Sequence, residues 1–138
     1  MTKSIAKTLG VHHLGLTVPR LGEARDFFVD GLGFEQVGEV PDYPAVFVSD
    51  GTVMITLWQA EDPESAVAFA RRRVIGLHHL ALRIADPAAL EVLHGELAAR
   101  DDVQIEFAPE SLGGGPVKHM MCRIPGNIRL ELIELPAA

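Results

Sequence analysis

The clearest pattern in the chain occurs twice. From Val11 to Val18, apolar and non-apolar positions alternate. Leu14, Leu16 and Val18 share one parity; His13, Gly15 and Thr17 share the other. The pattern returns 66 residues later, with Leu80, Leu82 and Ile84 set against His79, Ala81 and Arg83. A period of two predicts strands with one buried face. A helix follows each strand. Leu21 to Leu32 has Leu21, Ala24, Phe27, Phe28 and Leu32 at helical spacing, with Gly31 and Gly33 to end it. In the second copy Asp86 is a helix cap, Pro87 the first helical residue, and Leu90, Leu93, His94 and Leu97 follow.

The ends of the two copies also match. Asp50 to Trp58 parallels Pro125 to Ile133 at an offset of 75, so the second copy is nine residues longer. The surplus falls in Ala108 to Lys118, whose Gly113-Gly114-Gly115-Pro116 run reads as a mobile loop. Phe34 to Val40 and Ala45 to Ser49 read as middle strands of the first copy; Val103 to Phe107 and Val117 to Ile124 read as those of the second. Asp62-Pro63-Glu64 opens a connecting helix that runs through about Arg73. The expectation is one α+β domain over 1–138. It consists of two βαβββ modules, 9–60 and 75–136, joined by a connecting helix, 61–74. A sheet with helices on one face needs a cover for the other. Two such modules, facing each other as one curved mixed sheet, enclose a cavity.

Composition narrows the function classes. A net charge of −7 argues against a surface that tracks nucleic-acid phosphates. The one basic run, Arg71-Arg72-Arg73, is expected at the end of the connecting helix, where cations complement the helix dipole. No apolar run approaches the ~18–20 residues of a membrane span. The N-terminus lacks the pattern of an export signal. The lone Cys122 cannot form an internal disulfide. A cytoplasmic location, with no nucleic-acid or membrane partner, is therefore expected.

The parity that faces away from the helices carries the chemistry. It includes His13 and His79 on the two first strands. On the last strand it includes Arg129, Glu131 and Ile133. Two imidazoles and a carboxylate suit one divalent ion, whether Fe, Mn, Zn or Ni, and leave open positions for catalysis. Glu131 aligns with Thr56, a poor ligand, so the expected site has three protein ligands. His12 and His78 have the opposite parity, and His94 lies on a helix; these read as ordinary polar groups. His119 shares its parity with Met121 and is the candidate general acid–base, because histidine exchanges protons near neutrality. Arg83, Arg123 and Arg129 have cavity parity and could bind a carboxylate or enolate oxygen. Thr56, Trp58, Met54, Met121 and one of Val46 and Phe47 supply the cavity wall.

These residues resemble the vicinal oxygen chelate superfamily: glyoxalase I, extradiol dioxygenases, fosfomycin-resistance enzymes, methylmalonyl-CoA epimerase and metal-free bleomycin-binding proteins. The resemblance rests on the strand motifs at His13 and His79 and on Arg20 to Phe28 running into Gly31-Leu32-Gly33-Phe34. It rests also on Pro125-Gly126-Asn127 leading to Glu131. It implies paired βαβββ modules, a metal that chelates vicinal oxygens of a small-molecule substrate, and a homodimer. Thr56 stands where glyoxalase I has a carboxylate. Met121 stands where extradiol dioxygenases and fosfomycin-resistance enzymes have a tyrosine. The two-His, one-carboxylate set puts dioxygenase-type chemistry first. A lyase or isomerase working through a metal-stabilised enolate comes next, and a metal-free drug-binding protein is the non-enzymatic alternative.

Overall fold

The computed structural model describes residues 5–134; the expected end of the second module at 136 lies outside them. Strand β1 (His13–Val18) leads to α1 (Leu21–Asp26), which continues as a π-helical turn (Phe27–Gly31). Then come β2 (Glu35–Val40), β3 (Ala45–Ser49) and β4 (Met54–Gln59). The second half repeats the order: β5 (Leu80–Ile84), α2 (Pro87–Ala98), β6 (Gln104–Ser111), β7 (Lys118–Ile124) and β8 (Ile128–Glu134). The strands form two four-stranded sheets, β1-β4-β3-β2 and β5-β8-β7-β6. In each, the strand before the helix pairs parallel to the last strand, as a helical crossover permits, and hairpins make the other pairings antiparallel. Gly15 stands opposite Thr56, and Ala81 stands opposite Glu131. The two copies therefore superpose in register, as the two sequence offsets require.

Helix-facing residues make the core. Leu16, Val18, Val46, Val48, Ile55 and Leu57 pack with Ala24, Phe27 and Phe28; Met120, Cys122, Ile124, Leu130 and Leu132 pack with Leu90 and Leu97. All belong to one continuous cluster across both modules. At the seam, the Arg100 guanidinium lies 5.9 Å from the centre of the Phe27 ring. Gly126, at φ +90°, turns from β7 into β8 where a Cβ would stand 3.1 Å from Pro19 Cδ. A larger residue there would be strained by the positive φ and would need Pro19 to give by a few tenths of an ångström.

Local departures have local causes. The first helix covers the expected span, but its second half is π-helical. Neighbouring residues on an α-helix point about 100° apart. The wider turn helps Phe27 and Phe28 both reach the core, where they are 0 % and 1 % exposed. Asp86 caps α2 as expected, its Oδ1 accepting from Ala89 N at 2.8 Å.

The connecting helix is a correction. Residues 61–74 form two separate turns. Ala66 N reaches Asp62 O, and Val74 N reaches Ala70 O, with no helix between them. Asp62 engages the side chain of Ser65 at 2.7 Å and closes a local turn. Val67 is exposed, so no apolar stripe packs to hold so short a helix. The arginine run consequently does not end a helix; Arg71 reaches across to Glu106 at 2.8 Å. The expected loop over Ala108 to Lys118 is shortened by strand at both ends, from 108 to 111 and at 118. β6 runs through Ser111 with register shifts on either side of Phe107, the second spanning Pro109, which has no N–H to give the ladder. Longer strands take up part of the surplus length, and the bulges a little more. A short turn at Leu112–Gly114 closes the remainder, with Leu112 N on Val117 O at 2.8 Å. Among the described residues no helix is long and apolar enough to cross a membrane.

Cys122 is fully buried on β7, and burial, with the nearby Glu106 charge, pushes its thiol up to about 12. The native protein should resist alkylation by iodoacetamide at pH 8 and react within minutes once unfolded in guanidinium; equal rates would show that β7 is open. Asp86→Ala should cost about 1 kcal/mol in chemical denaturation by removing the α2 cap.

Candidate metal and acid–base site

The second sheet gathers three chemically able side chains on the face away from its helix. Glu131 stands near the middle of β8, with Met121 opposite it on β7 and Ala81 opposite it on β5. His119, two residues from Met121, is on the same face as Glu131. Its Nδ1 lies 2.7 Å from Glu131 Oε2. His79, two residues before Ala81, comes from the other side, and its Nε2 lies 3.1 Å from Glu131 Oε1. One carboxylate, 9 % exposed as a residue, thus joins two imidazoles. Phe107 packs edge-on against His119, with ring centroids 4.9 Å apart.

The outer nitrogen of His79 is also engaged. Its Nδ1 lies 2.8 Å from Nδ1 of His78, so only one of that pair can carry the proton between them. Loss of solvent, then the charges of Arg129, His79 and Arg71, hold His78 below its usual value and favour its neutral form. With Nε2–H donating to Glu131 Oε1, His79 Nδ1 accepts from His78; with an ion in place of that proton, a neutral His78 would instead accept from His79 Nδ1–H and leave Nε2 of His79 as a lone pair. That is the state a ligating imidazole needs. Nε2 and Oε1 at 3.1 Å are also spaced as neighbouring ligand atoms around one ion with bonds of about 2.1 Å. His79 and Glu131 therefore fit a divalent cation as two of its ligands.

His13 lies on the first module, its Nδ1 2.9 Å from His12 Nδ1, a copy of the His78–His79 pair. Among the described residues, no group of three or more His, Cys, Asp or Glu side chains stands at metal-holding spacing. The structure thus brings together His79, His119 and Glu131 and leaves His13 apart from them. His94 sits on α2, as its spacing predicts.

The first module has a different face. Thr56, in the position of Glu131, accepts from Trp58 Nε1 at 2.9 Å. Tyr43 and Phe47 pack on Trp58, with centroids 4.5 and 6.0 Å away. Phe47 is therefore the wall residue, and Val46 belongs to the core. Gly15 leaves room for this group, since a Cβ there would stand 3.1 Å from Thr56 Oγ1. Arg83 is exposed and lines a cleft of about 670 Å³ that runs along β5 and also includes His79. Arg123 and Arg129 face each other across β7 and β8 beside a smaller recess that includes Arg71, Glu106 and Asn127.

Sequence reasoning missed His78, Phe107, Arg71 and Glu106. Glu106 bridges Arg71 and Arg129 through contacts of 2.8 Å each. Burial works to raise its carboxyl, but hydrogen bonds and charge from Arg129 and then Arg71 outweigh that and hold it below the usual range. Parity could not assign Glu106 or Phe107, because the bulges of β6 break the period of two. For His78 the signal was present in the repeated His-His pair at 12–13 and 78–79.

Comparison with known proteins agrees with this architecture. A 2-epi-5-epi-valiolone epimerase from an Actinomyces species is 28 % identical over 158 aligned positions, which cover 98 % of this chain and 84 % of the relative. A glyoxylase/bleomycin resistance protein/dioxygenase domain from Frankia sp. EAN1pec superposes with a TM-score of 0.79 at 24 % identity, covering 96 % of this chain and 100 % of that one. Lactoylglutathione lyase from Agrobacterium tumefaciens superposes with a TM-score of 0.71 at 22 % identity, over 94 % and 96 % of the two chains. The family description that matches spans residues 10–132, nearly the whole repeat, and the chain belongs to the Glyoxalase/Bleomycin resistance protein/Dioxygenase superfamily.

Proposed function

We propose that this chain is an isomerase or epimerase that moves a proton at a carbon next to a carbonyl of a small substrate. Superfamily members bind small molecules, commonly use a divalent metal and include enzymes. The observation that carries the reading is the 2.7 Å contact between His119 and Glu131. An ionised Glu131 accepts from Nδ1–H of His119, fixes that tautomer and leaves Nε2 as the basic nitrogen. When Nε2 takes a proton from carbon, the imidazolium that forms lies against the carboxylate, which stabilises it. Phe107 and the buried Met121 limit water around the ring.

His79 and Glu131 would hold the divalent ion. The third ligand would be His13, from the first module of a second copy in a homodimer. Bound there, the ion would act as a Lewis acid, polarising the carbonyl and offsetting the charge that develops on its oxygen. Thr56, Trp58 and Arg83 would contact the rest of the substrate. The epimerase relative supports this choice over the dioxygenase-type reading: an epimerase inverts a stereocentre, which removal and return of a proton achieves.

The test is exchange of substrate hydrogen for solvent deuterium, followed by NMR, over a panel of α-hydroxyketones that includes 2-epi-5-epi-valiolone. Wild type should exchange the hydrogen next to the carbonyl, and His119→Gln should slow this by roughly 10²–10⁴-fold. Exchange that is unchanged in the variant would rule His119 out as the base. Oxygen uptake in the same incubations would assign dioxygenase-type chemistry instead. Metal content by mass spectrometry should be about one divalent ion per chain, lost in His79→Ala and in Glu131→Ala. A protein that stays metal-free after reconstitution would be a small-molecule binder.

A further inference from the structure

One step along the same sheet face from Glu131 and Met121, toward the β7–β8 turn, Arg123 and Arg129 stand directly opposite each other. Arg71 of the linker joins them around a recess of about 150 Å³, lined also by Phe69, Glu106 and Asn127. Like charges opposed on neighbouring strands repel, so this pairing needs an anion. Glu106 supplies part of it, accepting from Arg129 Nε and from Arg71 Nη1 at 2.8 Å each. Three guanidinium groups still share one carboxylate. Arg129 Nη1 has a contact of 3.5 Å with His78 Nδ1. Arg123 Nη1 is 3.5 Å from Asn127 Oδ1, and Arg123 Nε is buried with no hydrogen-bond partner among the described residues. Asp101 and Asp102 line a separate recess that also includes Arg123, and Asp102 is held by Arg100 through two bonds of 2.8 Å. A chain of net charge −7 has here gathered cations and left one buried N–H open.

We propose that this recess is an oxyanion subsite that takes a phosphate or carboxylate group. Arg123 donates to it through its Nη nitrogens, whose paired N–H groups suit two oxygens of one anion. Arg71 and Arg129 flank the anion, and Glu106 holds those two guanidiniums in place. The further step, that the anion is part of the substrate, rests on the function proposed above. Arg129 and Glu131 are two residues apart on one face of one strand, a separation of about 7 Å. The substrate is then a small carbonyl compound whose anionic group lies about that far from the reacting carbon.

Isothermal calorimetry at fixed ionic strength tests the subsite without turnover, using inorganic phosphate and acetate as separate probes. One of them should bind saturably at one site per chain, in the millimolar range. Arg123→Gln should weaken it by about tenfold or more, and Arg71→Gln, at a half-exposed position, by severalfold. Arg123→Lys should lie between, since it keeps the charge and loses the fork. If Arg123→Gln does not fold, Arg71→Gln and Arg123→Lys decide. Arg25→Gln, remote from the recess, should bind as wild type does. Tighter phosphate identifies a phosphate subsite, and tighter acetate a carboxylate subsite. No saturable binding of either probe, or wild-type affinity in the Arg123 and Arg71 variants, would overturn the proposal. Loss of proton exchange with intact probe binding would count against the proposed reaction alone, and the reverse result against the subsite alone.

Discussion

A carboxylate in the middle of a strand is costly unless its oxygens are occupied, and the arrangement of the second module follows from that constraint on Glu131. Leu130 and Leu132, its neighbours on β8, are fully buried, so the strand cannot shift to free the acid. A one-residue slip would put Glu131 into the core and a leucine on the open face. Register is therefore fixed by hydrophobic burial, and register delivers the partners. Parallel pairing with β5 presents His79 to one oxygen; antiparallel pairing with β7 presents His119 to the other. The geometry of the cluster is thus held by a core that contains none of its atoms.

Much of this was legible in the sequence because it follows from period-two alternation. The repeat defined β1, β5, β4 and β8. The two offsets fixed which residues face each other, as the pairs Gly15–Thr56 and Ala81–Glu131 show. The face of His119 followed from the same parity. Legibility ended where parity or propensity stops being a guide. The linker over 61–74 has the composition of a helix, but its apolar run at 66–70 is not packed as a helix face, Val67 being exposed, and side-chain turns at Asp62 prevailed. β6 loses its period at two irregularities, and Glu106 was hidden for that reason. His13 marks a different boundary. Its place in the repeat is plain, but repeat symmetry says which residues are equivalent and not which of them meet.

The two modules share a backbone and have diverged in side chains at the equivalent positions. Glu131 with His79 and His119 makes a polar centre; Thr56 with Trp58, Phe47 and Tyr43 makes an aromatic wall. The small residues in the parallel partner strands match their neighbours. Gly15 is required because Thr56 Oγ1 already supports Trp58 Nε1 in that space. Ala81 is tolerated beside the glutamate. A glutamate at position 56 would place a second carboxylate among aromatic rings.

This divergence bears on how one face can hold both the Glu131 cluster and a pair of opposed arginines. The row containing Glu131 and the row containing Arg123 and Arg129 are adjacent on β7 and β8, and opposite charges that close would collapse onto each other if they were free to do so. Glu106 prevents that by taking Arg129 Nε at 2.8 Å from the β6 side. Glu106 sits in the β6 irregularity between Ile105 and Phe107, which sequence parity could not anticipate. The irregular edge strand therefore partitions the face. It neutralises the arginine nearest Glu131, leaves Glu131 to its two histidines, and leaves Arg123 with a buried donor that has no partner among the described residues.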